Sequence, residues 1–403
     1  MTPTGDDWDR RFEHLLRDPL TRRRLMQRGA AGALGVSVLA YLAACGEETG
    51  GGAETSTEEA GVIAKGKISD SLYFANWPLY IEEDRGTLTE FEKEYGTKVK
   101  YVEEINDNVE FFGKVRQQYA RGDSGGRDIH VVTDWMAARM IRLGYVQKFD
   151  KRQLPNASRN LIARLKSPPF DENRDFSMPW QSGFAGIVYR RDKVKREPRS
   201  VDDLFDPDYK GKVTMLTEMR DTVGVVAASM GFDPESASVD EFMQAIDKIG
   251  EAAESGQIRG FTGNEYTKDI TKGDSWVIIG WSGDAVQLEA DNPNIRFVAP
   301  ESGVHLWTDN MQIPVGAPHA FTAQKMIDFV YRPEVQADIA EYVNYICPVE
   351  GVREILTRRD PALGQNQLIF PDSETLSNAF IFRQLEPDEE RELDEAFQQV
   401  IGA

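Results

Sequence analysis

Aromatic and acidic side chains recur together at points where predicted strands end. The aromatic candidates are Trp77, Tyr80, Trp135, Trp281, Trp307 and Tyr345, and the acidic candidates are Asp134, Glu218, Asp221, Asp284 and Asp309. An ammonium group above an aromatic ring gains about 0.5–2 kcal/mol. Burying that ammonium without a carboxylate partner is costly. The combination predicts a site for an elongated organic cation, with rings along its methylenes and acids near its charged ends.

The candidates also have purely structural interpretations. Trp77 and Tyr80 could do no more than cover the end of a sheet, because most aromatic side chains serve packing. Trp281 follows a buried strand and fits core packing as well as binding, and Tyr345 is equally ambiguous. Asp309 could cap a turn or pair with a lysine.

The elements that must position these residues alternate between strands and helices. Strands are predicted at 72–74, 98–102 and 128–132, and helices follow them at 88–95, 108–121 and 136–143. This alternation predicts a parallel, doubly wound α/β sheet. Ligands bind beyond the carboxyl ends of the strands in such sheets. Trp77, Tyr80, Thr133 and Trp135 all fall at or just beyond such ends.

The same pattern recurs in a second α/β region that begins near Ser200. Its predicted strands and the candidates after them are 212–216 with Glu218 and Asp221, and 276–280 with Trp281 and Asp284. We expect Asp134 and Asp284 to be hydrogen-bonded loop acids rather than ligand-binding residues. Two apolar segments, Met178–Tyr189 and Val304–Pro314, are interpreted as crossings between the two regions.

The composition is that of an acidic globular protein. The chain has 403 residues, 40% of them hydrophobic, and a formal net charge of -20. Because phosphate binding requires a basic field, this charge argues against nucleic acid as a partner. The four histidines show no metal-ligand spacing, and no G-x-S-x-G or H-E-x-x-H motif is present. We therefore expect no metal, no cofactor and no enzymatic activity.

Residues 1–44 resemble an export signal. Positively charged residues at 21–28 precede about 16 apolar residues, fewer than the roughly 20 that span a bilayer. Thr21-Arg22-Arg23 resembles the start of a twin-arginine signal. Leu42-Ala43-Ala44-Cys45 resembles a bacterial lipobox, which implies cleavage before Cys45 and lipidation of its sulfur. The alternative is an unlipidated signal with an incidental cysteine.

A lipidated Cys45 could not pair with Cys347, the other cysteine of the chain. Cys347 is then expected to be a free, buried thiol. Residues 46–61 are rich in Gly, Ser, Thr and Glu and predict a flexible acidic linker. The mature protein is thus expected outside the cytoplasm, in the periplasm or at the cell surface, anchored to the membrane through Cys45.

The order of several short motifs resembles that of bacterial spermidine/putrescine-binding proteins, the periplasmic solute receptors of polyamine importers of the ABC class. The matching segments are Leu72–Trp77, Asp128–Met140, Phe170–Pro179, Tyr209–Lys212, Trp281–Gly283, Trp307–Asp309 and Phe370–Thr375. Together they span about residues 71–374. The resemblance implies an α/β, two-lobed periplasmic binding protein fold of type II, with a ligand cleft between lobes joined by crossing strands.

The resemblance also implies which residues bind the ligand. They are Trp77, Tyr80, Thr133, Trp135, Glu218, Asp221, Trp281, Trp307, Asp309 and Tyr345. Glu218 and Asp221 match an acidic pair that holds one end of the polyamine, although the alignment there needs a one-residue gap. Asp309, with Trp307 beside it, matches the acid that grips an ammonium group. The family's late glutamine has no secure counterpart near residues 380–384.

The resemblance divides the chain into six predicted segments. They are the signal peptide (1–44), lipidated Cys45 with the linker (45–65), lobe 1 (66–179), lobe 2 (180–307), a return to lobe 1 (308–362) and a tail packing on lobe 2 (363–403). The expected partners are a polyamine, an ABC transporter permease and, through Cys45, the membrane. The protein is expected to be a monomer.

Other functions remain open at this point. A receptor of the same class could take an amino acid, an opine, a metal chelate or another organic cation. An anionic ligand would need an arginine in the cleft, and Arg220 is the one obvious arginine among these loops. An enzyme is disfavoured, because Cys347 has no supporting histidine motif. A sensing role could accompany transport.

Overall fold

Residues 61–402 are described by a computed structural model. The predicted signal peptide, Cys45 and residues 46–60 of the predicted linker lie outside these residues. The described chain from Val62 onward forms one compact unit. Its contacts begin with Val62, which bridges to Lys148, and with Ile63, which is buried. Among residues 61–402, no helix is both long enough and apolar enough to cross a bilayer.

The strands of the described residues are short in the periphery and long in the middle of the sheet. They are β1 (Ser71–Asn76), β2 (Lys98–Glu103), β3 (Ile129–Thr133), β4 (Met178–Arg190), β5 (Val213–Leu216), β6 (Ile258–Thr262), β7 (Val277–Trp281), β8 (Ile295–Val298), β9 (Val304–Gln312) and β10 (Ala379–Phe380). Every residue of β4, β7 and β9 is buried. These three strands therefore form the centre of the sheet.

Helices cover the sheet. They are α1 (Gly86–Tyr95), α2 (Asn108–Tyr119), α3 (Asp134–Arg142), α4 (Pro155–Asn160), α5 (Met219–Ser229), α6 (Val239–Glu254), α7 (Tyr266–Lys272), α8 (Ser282–Asp291), α9 (Ala320–Val330), α10 (Pro333–Val343), α11 (Val352–Arg359), α12 (Pro361–Gln365), α13 (Ser373–Ser377) and α14 (Pro387–Ile401). Local sequence sets several of their starts. Asp107 accepts a hydrogen bond from the Glu110 amide at the start of α2, and Ser238 and Glu241 form a capping box at the start of α6.

The strands form one sheet in the order β2-β1-β3-β9-β4-β7-β5-β6, with β10 added to β9 and β8 to β4. The strands β2, β1 and β3 are mutually parallel, and so are β7, β5 and β6. The two long strands β4 and β9 lie antiparallel to each other between these groups. We call the side with β1 to β3 the first lobe and the side with β5 to β7 the second lobe.

The predicted crossings correspond to β4 and β9. Their long antiparallel pairing runs from Met178 opposite Met311 to Ala185 opposite His305. Strand β9 also pairs with β3 of the first lobe, and β4 also pairs with β7 of the second lobe. The two lobes are thus joined through the middle of one continuous sheet.

The C-terminal segment packs mainly against the second lobe. Arg383 donates hydrogen bonds from its amide to the carbonyl of Pro234 and from Nε to the carbonyl of Ala237, just before α6. The final helix α14 then lies along α6. On its other side, Glu390 of α14 contacts Arg139 of α3 in the first lobe. The helix therefore touches both lobes, while the predicted segment boundaries stay a prediction.

Candidate ligand-binding site

The pairing register of β9 brings residues of both lobes next to the same short stretch of this strand. Asp309 and His305 lie four residues apart on β9 and therefore project from the same face of the sheet. Asp309 is paired with Thr133, the last residue of β3. His305 is opposite Ala185 of β4, which is paired with Trp281, the last residue of β7. The carboxyl ends of one strand from each lobe thus flank a single short stretch of β9.

A cavity of about 460 Å³, including space open to solvent, lies over this face. All the residues predicted to bind a ligand line it, namely Trp77, Tyr80, Thr133, Trp135, Glu218, Asp221, Trp281, Trp307, Asp309 and Tyr345. The other lining residues are Pro78, Arg220, Asn264, Asp284 and His305. The fold therefore gathers residues that are far apart in sequence around one space, and their role in binding stays a prediction.

Asp309 is held by two hydroxyl groups of the first lobe. Tyr80 Oη donates to Asp309 Oδ2 at 2.9 Å, and Thr133 Oγ1 donates to Asp309 Oδ1 at 2.8 Å. Burial of Asp309 raises its pKa to about 7, and the two hydrogen bonds act against that rise. An ammonium group placed beside Asp309 would favour its charged form.

Glu218 lies just before α5 of the second lobe and reaches the first lobe. Its Oε1 accepts hydrogen bonds from the backbone amide of Asn108 at 2.6 Å and from Asn108 Nδ2 at 2.8 Å. Asn108 Nδ2 also donates to Thr133 Oγ1 at 2.8 Å. Burial, followed by two neighbouring carboxylates, raises the pKa of Glu218 well above its usual range. Glu218 is therefore both a lining acid and a contact between the lobes.

Asp221 is held in place by two residues that line the cavity, Trp281 and His305. Trp281 Nε1 donates to Asp221 Oδ2 at 2.9 Å. His305 Nδ1 lies 2.6 Å from Asp221 Oδ1. Both partners are buried, so the orientation of Asp221 is set by groups that cannot readily move.

Asp284 and Asp134 are hydrogen-bonded acids, but they lie in the first turns of α8 and α3 rather than in loops as predicted, because each strand passes directly into a helix there. Asp284 accepts hydrogen bonds from Tyr345 Oη at 2.7 Å, Tyr266 Oη at 2.7 Å and Asn264 Nδ2 at 3.1 Å, and its burial raises its pKa. Asp284 also lines the cavity, which the sequence interpretation did not anticipate. Asp134 accepts from Asn310 Nδ2 at 2.6 Å, and burial raises its pKa to about 6.

The aromatic residues form a connected wall. Trp77 and Trp281 meet edge to face across the lobes with ring centres 5.9 Å apart. Tyr345 lies 5.3 Å from Tyr80 and 5.3 Å from Trp307, measured between ring centres. Edge-to-face ring pairs add about 0.5–1.5 kcal/mol each beyond burial. The rings therefore support one another as well as bounding the cavity.

Two glycines make room for this wall. A Cβ atom at Gly183 of β4 would lie 2.5 Å from the Trp307 ring. A Cβ atom at Gly283, in the first turn of α8, would lie 2.4 Å from the Tyr345 ring. Both distances are far below van der Waals contact, so any side chain at these positions would displace a ring.

Sequence reasoning missed three polar residues of the site. His305 precedes Trp307 and Asp309 by two and four positions, so the alternation of a strand was a signal that could have identified it. Asn108 opens α2 directly after the capping residue Asp107. Nothing in the sequence marks Asn264, which reaches Asp284 from the loop after β6.

Carboxylates outnumber basic groups in the cavity. The acids are Glu218, Asp221, Asp284 and Asp309, and the basic lining residues are Arg220 and His305. Arg220 Nη2 donates to Glu390 Oε1 at 2.7 Å, and the Arg220 side chain is 5% exposed. Because this arginine already has a carboxylate partner within the chain, an anionic ligand is disfavoured.

The fold and the cavity together define a solute-binding protein. The family model described as bacterial extracellular solute-binding protein matches residues 87–365, well over half of the chain. The chain belongs to this family.

Curated relatives narrow the comparison. A spermidine/putrescine-binding periplasmic protein of Escherichia coli is 28% identical over 328 residues, covering 79% of this chain and 90% of the relative. A putrescine-binding periplasmic protein of the same organism is 29% identical over 342 residues, covering 80% of this chain and 88% of the relative.

Solved structures agree on the architecture. A spermidine/putrescine ABC transporter substrate-binding protein from Streptococcus pneumoniae has a TM-score of 0.66 at 26% identity, covering 82% of this chain and 98% of that chain. An Agrobacterium tumefaciens binding protein in complex with glucopine has a TM-score of 0.65 at 17% identity, covering 82% and 99%. At that identity the second likeness concerns the fold alone.

These comparisons confirm two predictions. The two-lobed α/β fold with crossing strands is the fold of these binding proteins, and the chain is an extracellular solute-binding protein as the motifs indicated. The family is one of solute-binding proteins rather than of enzymes, and the absence of enzymatic activity in this chain stays a prediction. Among residues 61–402, Cys347 is a free and buried thiol, and its burial raises its pKa to about 12.

Proposed function

We propose that the protein captures a polyamine, such as spermidine or putrescine, outside the cytoplasm and delivers it to an ABC importer. The observation that carries this proposal is the cavity between the lobes, in which aromatic rings and four carboxylates converge without an unpaired arginine. Rings suit the methylenes of the ligand, and carboxylates suit its ammonium groups. The printed names of the relatives support the same ligand class.

Asp309 is the proposed anchor for one ammonium group. Tyr80 and Thr133 already orient both of its oxygens, so little further ordering is needed when the ligand arrives. Trp307 stands two residues away on the same face of β9. Closing the lobes around the ligand would exclude water, which strengthens the charge pair.

Glu218 and Asp221 are the proposed acids for the remaining positive charge. Asp221 is held by Trp281 and His305, so its position is fixed in advance. Glu218 is shared with Asn108 of the first lobe. Ligand binding at this end would therefore compete with, or add to, a contact between the lobes.

Calorimetric titration of the purified protein tests the proposal. Putrescine, spermidine and spermine are each titrated, with glutamate and an opine as anionic comparisons. We expect saturable 1:1 binding of at least one polyamine and none of the anionic compounds. Binding of an anionic compound in the absence of polyamine binding would overturn the proposal.

The proposed location is the outer face of the membrane, with a lipid on Cys45 as the anchor and the acidic linker as the spacer. The motif Leu42-Ala43-Ala44-Cys45 supports this part of the proposal. A lipid anchor would keep a monomeric receptor near the permease that it serves.

Substitution Cys45→Ser is expected to release the protein from the membrane fraction into the soluble extracytoplasmic fraction, because it removes the sulfur that carries the lipid. Immunoblotting of cell fractions measures this, and Cys347→Ser serves as the matched control that should remain in the membrane fraction. Retention of Cys45→Ser in the membrane would contradict the lipid anchor while leaving the polyamine proposal untouched.

A further inference from the structure

A cluster of charged side chains lies beside the cavity where the two lobes and the C-terminal helix meet. It consists of Arg139 and Arg142 of α3, Arg220 of α5, and Glu390 and Asp394 of α14. Glu390 contacts Arg220 at 2.7 Å, Arg139 at 3.1 Å and Arg142 at 3.3 Å. Asp394 contacts Arg139 at 2.9 Å and lies 3.7 Å from Arg220.

Arg220 extends this cluster into the cavity. Its guanidinium carbon lies 3.6 Å from the centre of the Trp135 ring. The guanidinium of Arg139 is also near that ring, at 5.0 Å. Arg220 and Trp135 both line the cavity. The ring that was predicted to receive a ligand ammonium thus already has cations from the chain as partners.

The cluster has an excess of positive charge. Three arginines face two carboxylates, which leaves one positive charge in excess, and Arg142, whose side chain is 41% exposed, is the arginine that solvent screens most. The further carboxylate that acts on Arg220 is Glu218. Glu218 already accepts two hydrogen bonds from Asn108, and burial raises its pKa well above its usual range, which disfavours its charged form. The side chains of Arg220 and Glu390 are 5% and 8% exposed, so solvent screens their charges weakly.

We propose that Arg220 is a specificity-determining residue that discriminates against an additional ammonium group at the Trp135 end of the cavity. Its guanidinium lies against the Trp135 ring and competes with a ligand ammonium for that ring, and it repels any further positive charge placed there. This inference rests on the proposed polyamine function. It assigns to Arg220 the selection between diamines and longer, more highly charged polyamines.

The surroundings of Asp309 differ from those of Trp135. Asp309 accepts hydrogen bonds from two neutral hydroxyl groups, Tyr80 and Thr133. Burial of Asp309 makes an approaching ammonium group its natural partner. One ammonium group is therefore accepted at Asp309, and selection by charge number falls to the end where Arg220 lies.

Substitution Arg220→Gln tests the inference. It keeps a polar, though shorter, side chain and removes both the charge and the guanidinium nearest to Trp135, while Arg139 stays in place. The ratio of the dissociation constants for spermidine and putrescine is measured by calorimetry in the wild type and in the variant. We expect the ratio to shift in favour of spermidine by about tenfold. A residue with only a structural role would weaken both ligands equally and leave the ratio unchanged.

Substitution Glu390→Gln provides a second test with the opposite sign. It removes a negative charge from the cluster while leaving Arg220 in place, so the excess of positive charge grows. The ratio is expected to shift in favour of putrescine. The matched controls are Arg391→Gln and Glu392→Gln. They remove one positive and one negative charge, respectively, at exposed positions of α14, and should leave the ratio of the two dissociation constants unchanged.

Each outcome decides the matter. Opposite shifts for Arg220→Gln and Glu390→Gln, with unchanged controls, would support the inference. An unchanged ratio in both variants, shifts of the same sign, or equal shifts in the controls would overturn it. If Arg220→Gln does not fold, as judged by circular dichroism, Glu390→Gln alone gives the signed result. A wild type that binds neither polyamine would overturn the proposed function, and the inference with it.

Discussion

At the scale of single residues, the site depends on buried carboxylates. Asp309 could be identified from the sequence because it sits beside Trp307 in an apolar crossing segment. His305 could not be separated from an ordinary core histidine by type alone, because its significance comes from contact with Asp221 at 2.6 Å. The sequence thus predicted which residue types converge, while the geometry of their hydrogen bonds required the fold.

Substitutions at Asp309 and Trp281 test whether these residues bind the ligand. Asp309→Asn and Trp281→Ala are each expected to weaken polyamine binding by at least about 1.4 kcal/mol, a factor of ten. The first loses an ionic partner, and the second loses a ring face and a donor to Asp221. Calorimetry measures both. Asp291→Asn is the control, since Asp291 at the end of α8 is exposed and does not line the cavity. Unchanged affinity in both test variants would contradict the site assignment.

At the scale of elements, strand register does most of the positioning. The carboxyl ends of β3 and β7 are brought to one stretch of β9 because Thr133 pairs with Asp309 and Ala185 pairs with both His305 and Trp281. Strand positions were predictable from apolar runs, but pairing across about 176 residues was not, because backbone hydrogen bonds carry no sequence signature. The sequence does carry one local sign of this packing, because glycines, Gly183 and Gly283, stand where the Trp307 and Tyr345 rings come closest.

Gly283→Ala is expected to weaken both folding and binding. Its Cβ would lie 2.4 Å from the Tyr345 ring, so the ring must move and its hydrogen bond to Asp284 is lost. Overpacking of this kind costs about 1–3 kcal/mol. Chemical denaturation and polyamine titration measure the two effects. Gly260→Ala in β6, where no atom lies within 4 Å of the new Cβ, is the control, and equal behaviour of the two variants would contradict the packing argument.

At the scale of the whole molecule, the sequence predicted the two joined lobes but not the contacts that hold them together. The alternation of strands and helices and the two crossings predicted two joined lobes. Contacts that hold the lobes together join residues such as Arg139 and Glu390, which are 251 positions apart. No spacing rule pairs an arginine with a particular distant acid, so the part played by α14 emerged only from the folded chain.

Burial of Asp309 also makes the stability of the folded protein depend on pH. Burial raises the pKa of Asp309 to about 7, above the value of roughly 4 for an unfolded chain. The folded, ligand-free protein therefore binds this proton more tightly than the unfolded chain does. Protonated Asp309 therefore stabilises the folded protein at low pH. This contribution to the free energy of unfolding decreases as pH rises from about 4 to 7 and is gone above that range.

An ammonium ligand reverses this preference, because it favours the ionised carboxylate. Polyamine binding is thus expected to release a proton below pH 7, and affinity should fall by up to about tenfold per pH unit as pH decreases from 7 to 5.5. Calorimetry in buffers of different ionisation enthalpy measures both the affinity and the released protons. Asp309→Asn should reduce the pH dependence and the proton release, and Glu218, whose pKa is also raised, accounts for what remains. A wild-type affinity that is constant between pH 5.5 and 8, without proton release, would show that Asp309 does not meet the charge of the ligand.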